Sequence, residues 1–301
     1  MALGTFVPAT EGSRKLSLSY RNDGFSQYFH KPPLTRADVE RDLVNCFAGS
    51  NVQILEWGLG PGSVFCYDTK VGQVFGEGLT EDQWKLLRTG DRWVNENVRG
   101  LIRAGADPLH IAVQRGHEIG LKVFARLEMN HEYAPADPGN WLWGGFVGEL
   151  NKAHPEFRIP GRVNLDFKHQ AVRDFKLAIL REAAEAGADG LSLDFVVYPP
   201  FFEKPDCEIM TQFLRDTRKV LDEVGARQGR RLEIMVRAPY TGGPELGLDW
   251  QSWMRSIWPT SWWFPTWGPT KPSTSSLTTS SRWDTRLGAG SSAACGTAWA
   301  S

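Results

Sequence analysis

Three carboxylates lie at the ends of apolar runs: Glu56 in "VQILEWGLG", Glu128 in "LKVFARLEMNH" and Asp194 in "GADGLSLDFVVYPPFF". Asp194 is flanked by Leu191, Leu193, Phe195, Val196 and Val197, and the run halts at Pro199 and Pro200. A carboxylate among such neighbours costs on the order of several kcal/mol unless it is paired or put to use. Asp194 therefore reads as chemistry. Glu56 and Glu128 read equally as chemistry or as hydrogen-bonders to an arginine or a helix N-terminus. If the three runs are neighbouring parallel strands about 4.8 Å apart, adjacent carboxylates reach the roughly 5–5.5 Å at which two such groups share retaining glycoside hydrolysis. Crowding of like charge also raises one pKa of a pair, as a general acid requires.

Other side chains cluster at the same ends. Arg21, Asn22 and Asp23 close the first apolar run, and Trp57 follows Glu56. Asn130 and His131 follow Glu128, Tyr198 follows Asp194, and Arg237 ends "LEIMVR". Of all these, Glu56, Trp57, Asn130, His131, Tyr198 and Arg237 form the expected substrate surround, together with Trp141 and Trp143. His131 has the chemistry of a general acid, though a lone histidine reads more simply as structural or solvent-facing. Arg237 clamps a substrate or, more simply, neutralises the carboxylates. Trp141 and Trp143, in "NWLWGGF", offer faces for stacking on sugar rings, or anchors for a loop on the rim. No second histidine stands at ligand spacing, and Cys46, Cys66, Cys207 and Cys295 form no CxxC. No metal, no cofactor and no disulfide framework are expected.

What must position these residues is a repeated cadence of helix, glycine and apolar strand. Asp107 as N-cap and Pro108 at the first helical position open "PLHIAVQRGHEIG", which stops at Gly120 before the Glu128 strand. "HQAVRDFKLAILREAAEAG" spaces Val172, Phe175, Ile179, Ala183 and Ala186 by threes and fours and leads to the Asp194 strand. "MTQFLRDTRKVLDEVG" buries Phe213, Val220 and Leu221 and leads to the Arg237 strand. Earlier, "KLSLSYRNDG" is a first strand, "TRADVERDLVNCFAG" a helix and the Glu56 run a second strand. Apolar strands alternating with helices make a parallel α/β sheet, and about 250 residues of such units point to a (β/α)8 TIM-type barrel. No GxGxxG or GxxxxGK[ST] follows the first strand, which disfavours an open nucleotide-binding sheet. The long segment from Glu132 to Gln170 falls between a strand and its helix, where barrels build their sites.

A net charge of −1 gives no electrostatic case for nucleic acid or an anionic membrane surface. No apolar run approaches the roughly 18 residues of a membrane span. The start "MALGTFVPATEGSRK" lacks the pattern of a signal peptide. As written the product is expected to be cytoplasmic, with export open if the start codon is misplaced. Nothing in the residues specifies an oligomeric state.

"DPLHIAVQRGHEIGLKVFARLEMNH" and "HQAVRDFKLAILREAAEAGADGLSLDFVVYPPFF" resemble the family-10-like glycosyl-hydrolase-like barrels of bacterial genomes. The shared features are the DPL helix start, the helix–Gly–strand passage and a DG-x-x-x-DF-x-x-x-P fourth strand, over roughly Leu16 to Arg255. The resemblance implies a (β/α)8 barrel, a carbohydrate substrate and Asp194 as nucleophile. Many retaining relatives carry a glutamate acid/base further round the barrel. Here the fifth strand ends in Arg237, so Glu128 becomes the candidate acid/base, unless the donor lies on later strands.

The end of the chain changes character. Six of the thirteen tryptophans fall between Trp250 and Trp267, and after Ser256 periodicity gives way to Ser, Thr, Gly and Trp. Tryptophan has the single codon TGG. With a TCN serine, "WPTSWWFP" read one base earlier allows "LADLVVVP", a good parallel strand where the sixth is due. The expected organisation is thus a tail over 1–15, a barrel over 16–256 and an out-of-frame tail over 257–301, leaving the barrel incomplete. Two further readings stand beside the hydrolase: a carbohydrate-binding barrel without turnover, and an inactive truncated product.

Overall fold

The apolar runs form parallel strands in the order in which the chain presents them. The computed structural model describes residues 18–133, 144–239, 241–256 and 261–263. Its main sheet comprises β1 (Leu18–Arg21), β2 (Val52–Gly58), β3 (Lys122–Glu128), β4 (Gly190–Asp194), β5 (Glu233–Arg237) and β6 (Ser261–Trp263). Each strand pairs in parallel with the next, and the spatial order is the chain order. A doubly wound sheet reverses its order part-way; this one does not. Right-handed crossovers between sequential strands carry their helices to one face. The fold is an α/β arc of a (β/α) barrel, with β1 and β6 at its two edges among the described residues.

The two faces differ sharply because strand side chains alternate. One face carries Leu55, Trp57, Val123, Ala125, Leu127, Leu191, Leu193, Ile234 and Val236, all within a single buried core under the helices. The alternate positions, Ser19, Arg21, Glu56, Arg126, Glu128, Ser192, Asp194 and Arg237, line the interior face and bond to one another across strands. Trp57 is a correction. Expected in the substrate surround, it is 1% exposed on the helix side, its ring 6.5 Å from that of Tyr28. A one-residue step along a strand reverses the face, so Glu56 and Trp57 were never available to the same cavity.

The longer helices are α1 (Thr89–Arg103), α2 (Pro108–Glu118), α3 (Gln170–Glu185) and α4 (Cys207–Gln228). Asp107 caps α2 as expected, its carboxylate accepting the His110 amide. The α4 helix starts before the expected Met210 because Asp206 accepts the amides of Glu208 and Ile209. It ends at Gly229, whose φ of +67° suits glycine. The helix expected after Thr35 forms, but irregularly: Arg36–Asp38 is α, Val39–Val44 is π and Asn45–Phe47 is 3-10. The α1 helix was not anticipated because its buried stripe of Val94, Val98 and Leu101 is broken by Asn95 and Asn97. Those amides are spent on loops: Asn95 donates to the Phe75 carbonyl, and Asn97 to those of Tyr28 and His30.

A short helix, Trp250–Ser256, follows β5. Trp253 within it is fully buried beside Phe195, and its indole N–H donates to Thr211 Oγ1 at 2.8 Å. The expected tails over 1–15 and 257–301 lie outside the described residues, apart from β6. Among the described residues no helix is long and apolar enough to cross a membrane.

Candidate active site

Three strands bring their C-terminal ends to one carboxylate. Asp194 pairs in register with Glu128 of β3 on one side and Arg237 of β5 on the other. Arg126, two residues before Glu128 and so on the same face, donates through Nη2 to Glu128 Oε1 at 2.6 Å and to Asp194 Oδ2 at 2.8 Å. Arg237 Nη1 donates to the same Oδ2 at 2.8 Å, and Arg21 Nη1 lies 3.9 Å from it. Asp194 Oδ1 accepts the Val196 amide at 3.0 Å. Arg126 also holds the first loop, donating to the Asn22 carbonyl at 3.2 Å.

Electrostatics follow from this crowding. Burial pushes the Asp194 carboxyl up, but the guanidiniums of Arg126 and Arg237 outweigh it and hold the group below the usual carboxylate range. Burial likewise raises Glu128, and its bonds to His131 and Arg126 bring it below the ordinary value. Burial, Arg126 and Arg237 together lower the Arg21 guanidinium. Both carboxylates are therefore anions near neutrality. A glutamate in that state holds no proton to give, which bears directly against Glu128 as general acid.

Glu128 Oε2 meets His131 Nδ1 in a short contact. The His131 ring stacks on Tyr198, centroids 3.9 Å apart and planes 19° from parallel, and leans on Tyr133 at 4.8 Å. His131 is 8% exposed, and its Nε2 is buried without a hydrogen-bond partner among the described residues. Tyr198, 51% exposed, has φ +57°, a left-handed conformation uncommon for a bulky side chain and often found at functional sites.

Other expected contacts go elsewhere. Glu56 accepts Ser19 Oγ at 2.9 Å and Ser192 Oγ at 2.6 Å, and is 6% exposed. It faces inward, but below the Asp194 layer, as a brace between β1 and β4. Asn130 is fully buried; its amide donates to the carbonyls of Leu165 and Pro200, and its oxygen accepts the Leu165 amide. It ties loops together instead of facing a ligand, because those buried backbone groups need partners. Trp141 and Trp143 lie outside the described residues.

Sequence reasoning missed Arg126, Lys176, Glu132 and Ser63. Arg126 was detectable by the same sign as Asp194, a charge within an apolar strand. Lys176 Nζ, fully buried on α3, donates to Glu132 Oε1 at 2.9 Å, where Ser63 Oγ also donates at 2.6 Å. This buried pair fastens the segment after β3, which carries His131, to α3. Among the described residues no group of three or more His, Cys, Asp or Glu could hold a metal ion.

No family model and no curated protein matches the chain. Among solved structures, a maltogenic α-amylase from Thermotoga neapolitana is similar at 16% identity and TM-score 0.43, over 80% of this chain and 51% of that one. An α-galactosidase from Thermus thermophilus is 13% identical with TM-score 0.35, over 76% of this chain and 38% of that one. A family 18 N-acetylglucosaminidase from Paenibacillus barengoltzii is 14% identical with TM-score 0.34, over 72% and 47%. The chain spans about half, or less, of the length of each. None of them assigns a residue or an activity to this chain.

Proposed function

We propose that this is a glycoside-hydrolase-type barrel, of the family-10-like kind its sequence resembles, acting on a carbohydrate polymer or oligosaccharide. The observation that carries the reading is the buried Asp194 carboxylate, held as an anion by Arg126 and Arg237 beside Glu128 at the ends of β3 and β4. One guanidinium nitrogen lies 2.6 Å from Glu128 Oε1 and 2.8 Å from Asp194 Oδ2, so the two oxygens are no more than about 5.4 Å apart. That bound is compatible with the roughly 5–5.5 Å of a retaining pair. Asp194 is kept anionic, the state needed to attack or stabilise an oxocarbenium-like centre. Its Oδ1 accepts one amide and retains lone-pair capacity.

A second reading, carbohydrate binding without turnover, is favoured by the complete burial of Asp194. One experiment separates them. The protein is offered a panel of polysaccharides, reducing ends are measured, and retardation is followed in gels containing the same polymers. Hydrolysis predicts reducing-end release that Asp194→Asn lowers at least about a hundredfold, the scale of a lost catalytic group, while retardation persists. Retardation without release supports the binding module; neither one sinks both readings.

A further inference from the structure

We infer that His131 exchanges the proton at this site and that Glu128 is the positioning residue that orients it. The inference deepens the hydrolytic reading above and rests on it. A carboxylate only accepts hydrogen bonds, so the Nδ1 facing Glu128 Oε2 carries its hydrogen, and in the neutral ring Nε2 is left as a lone pair. Buried polar atoms are almost always partnered, yet this one, in a residue more than nine-tenths buried, has no partner among the described residues. A histidine serving only the core would spend that nitrogen on a backbone carbonyl or a side chain.

A second feature points the same way independently. The ring covering His131 belongs to Tyr198, whose backbone is left-handed and whose side chain is half exposed. The Tyr198 carbonyl is held by the Asn164 amide at 2.9 Å, so the strained position is fixed by the loop after β3. On the opposite side Gly62, at φ +68°, packs so tightly that a Cβ there would lie 2.6 Å from the His131 carbonyl oxygen. The His131 backbone is thus held against Gly62, and its ring is covered by a half-exposed tyrosine. The charged and titratable groups around it are Glu128 with Arg126 behind it, Tyr133 and Tyr198.

The step balances simply. As imidazolium, His131 gives the Nε2 proton to the glycosidic oxygen while the C1–O bond breaks and its electron pair stays with that oxygen. The ring is left neutral with Nδ1–H still on Glu128. When water supplies its electron pair to the anomeric carbon, Nε2 takes the proton that water releases. Asp194 remains an anion, and Glu128 holds Nδ1–H throughout without itself being protonated.

The test compares wild type, His131→Asn and Glu128→Gln on two substrate classes: the unactivated oligosaccharides, and p-nitrophenyl glycosides, whose leaving group departs without a proton. His131→Asn is expected to lower turnover of the unactivated substrates at least about a hundredfold and that of the nitrophenyl substrates less than tenfold. Glu128→Gln should share the pattern in milder form. Equal loss on both classes, or loss on neither, overturns the assignment while leaving the hydrolytic reading intact. A wild type inert on both classes overturns that reading and this assignment with it. Side-chain 15N spectra of the wild type, assigned against His131→Asn, are expected to show the His131 proton on Nδ1, with Glu128→Ala shifting it toward Nε2. A wild-type Nε2–H tautomer overturns the dyad whether or not the variants stay folded.

Discussion

At the scale of single residues, Asp194 acts as counterion before any chemistry. Removing it as Asp194→Ala leaves Arg126 and Arg237 in a buried site without their shared partner, which is expected to cost about 3–5 kcal/mol by urea unfolding. The pH sign follows from depressed carboxyls. Asp194 and Glu128 both lie below the ordinary range, so their stabilisation is complete above the unfolded values near pH 4 and drains away as pH falls through the folded ones. A urea midpoint followed from pH 6 downward should drop below about pH 4, and Asp194→Asn should flatten that drop. An unchanged slope would remove the ion pairs from the account. Asp194 and Glu128 were legible because charge within an apolar run is conspicuous. The same sign at Arg126 in "KVFARLE" went unread, although a position two before Glu128 must share its face. The left-handed backbone of Tyr198 leaves no mark in residue type, since a tyrosine is not the residue such a position favours.

At the scale of elements, the cadence of helix, glycine and strand was legible because periodicity and caps coincide at Asp107, Gly120 and Gly187, whereas α4 runs past the expected stop at Gly225 to a cap at Gly229. It failed where polar side chains occupy a buried stripe. In α3 the buried positions are Val172, Lys176, Ile179, Leu180, Ala183 and Ala184, whereas Phe175, placed on that face by spacing, is only partly covered. The explanation is Glu132, whose carboxylate meets the Lys176 ammonium inside the protein. Lys176→Met strands a buried carboxylate and is expected to cost about 3–5 kcal/mol. Adding Glu132→Leu should return much of that loss, since an apolar pair of similar volume often replaces a buried ion pair without penalty. Chemical unfolding of both variants checks this; a double variant no better than the single one would mean that the pair fixes the loop by geometry alone.

At the scale of the whole molecule, the sheet is, among the described residues, an arc with two edges. β1 has β2 as its neighbour, and its Leu18 and Tyr20 are 48% and 40% exposed. A barrel of this strand order closes when two further strands join β6 to β1, and unclosed edges of this kind invite association. The frame-shift proposal explains where those strands would be encoded. β6 occupies 261–263, paired with Met235–Arg237, and the frame one base earlier reads the same three positions as an apolar residue, an aliphatic or Met, and valine. The written frame thus pairs this stretch with β5, and the shifted frame reads as strand-forming over the same positions. We expect the gene, resequenced from codon 240 onward, to open in the shifted frame into further strand–helix units. The product of that frame should unfold cooperatively at a higher temperature than the written chain and bind less of a hydrophobic dye such as ANS. If the written frame is confirmed and its product alone melts cooperatively with no dye binding, the edges are closed by something other than missing strands, and the proposal of a slipped frame is wrong.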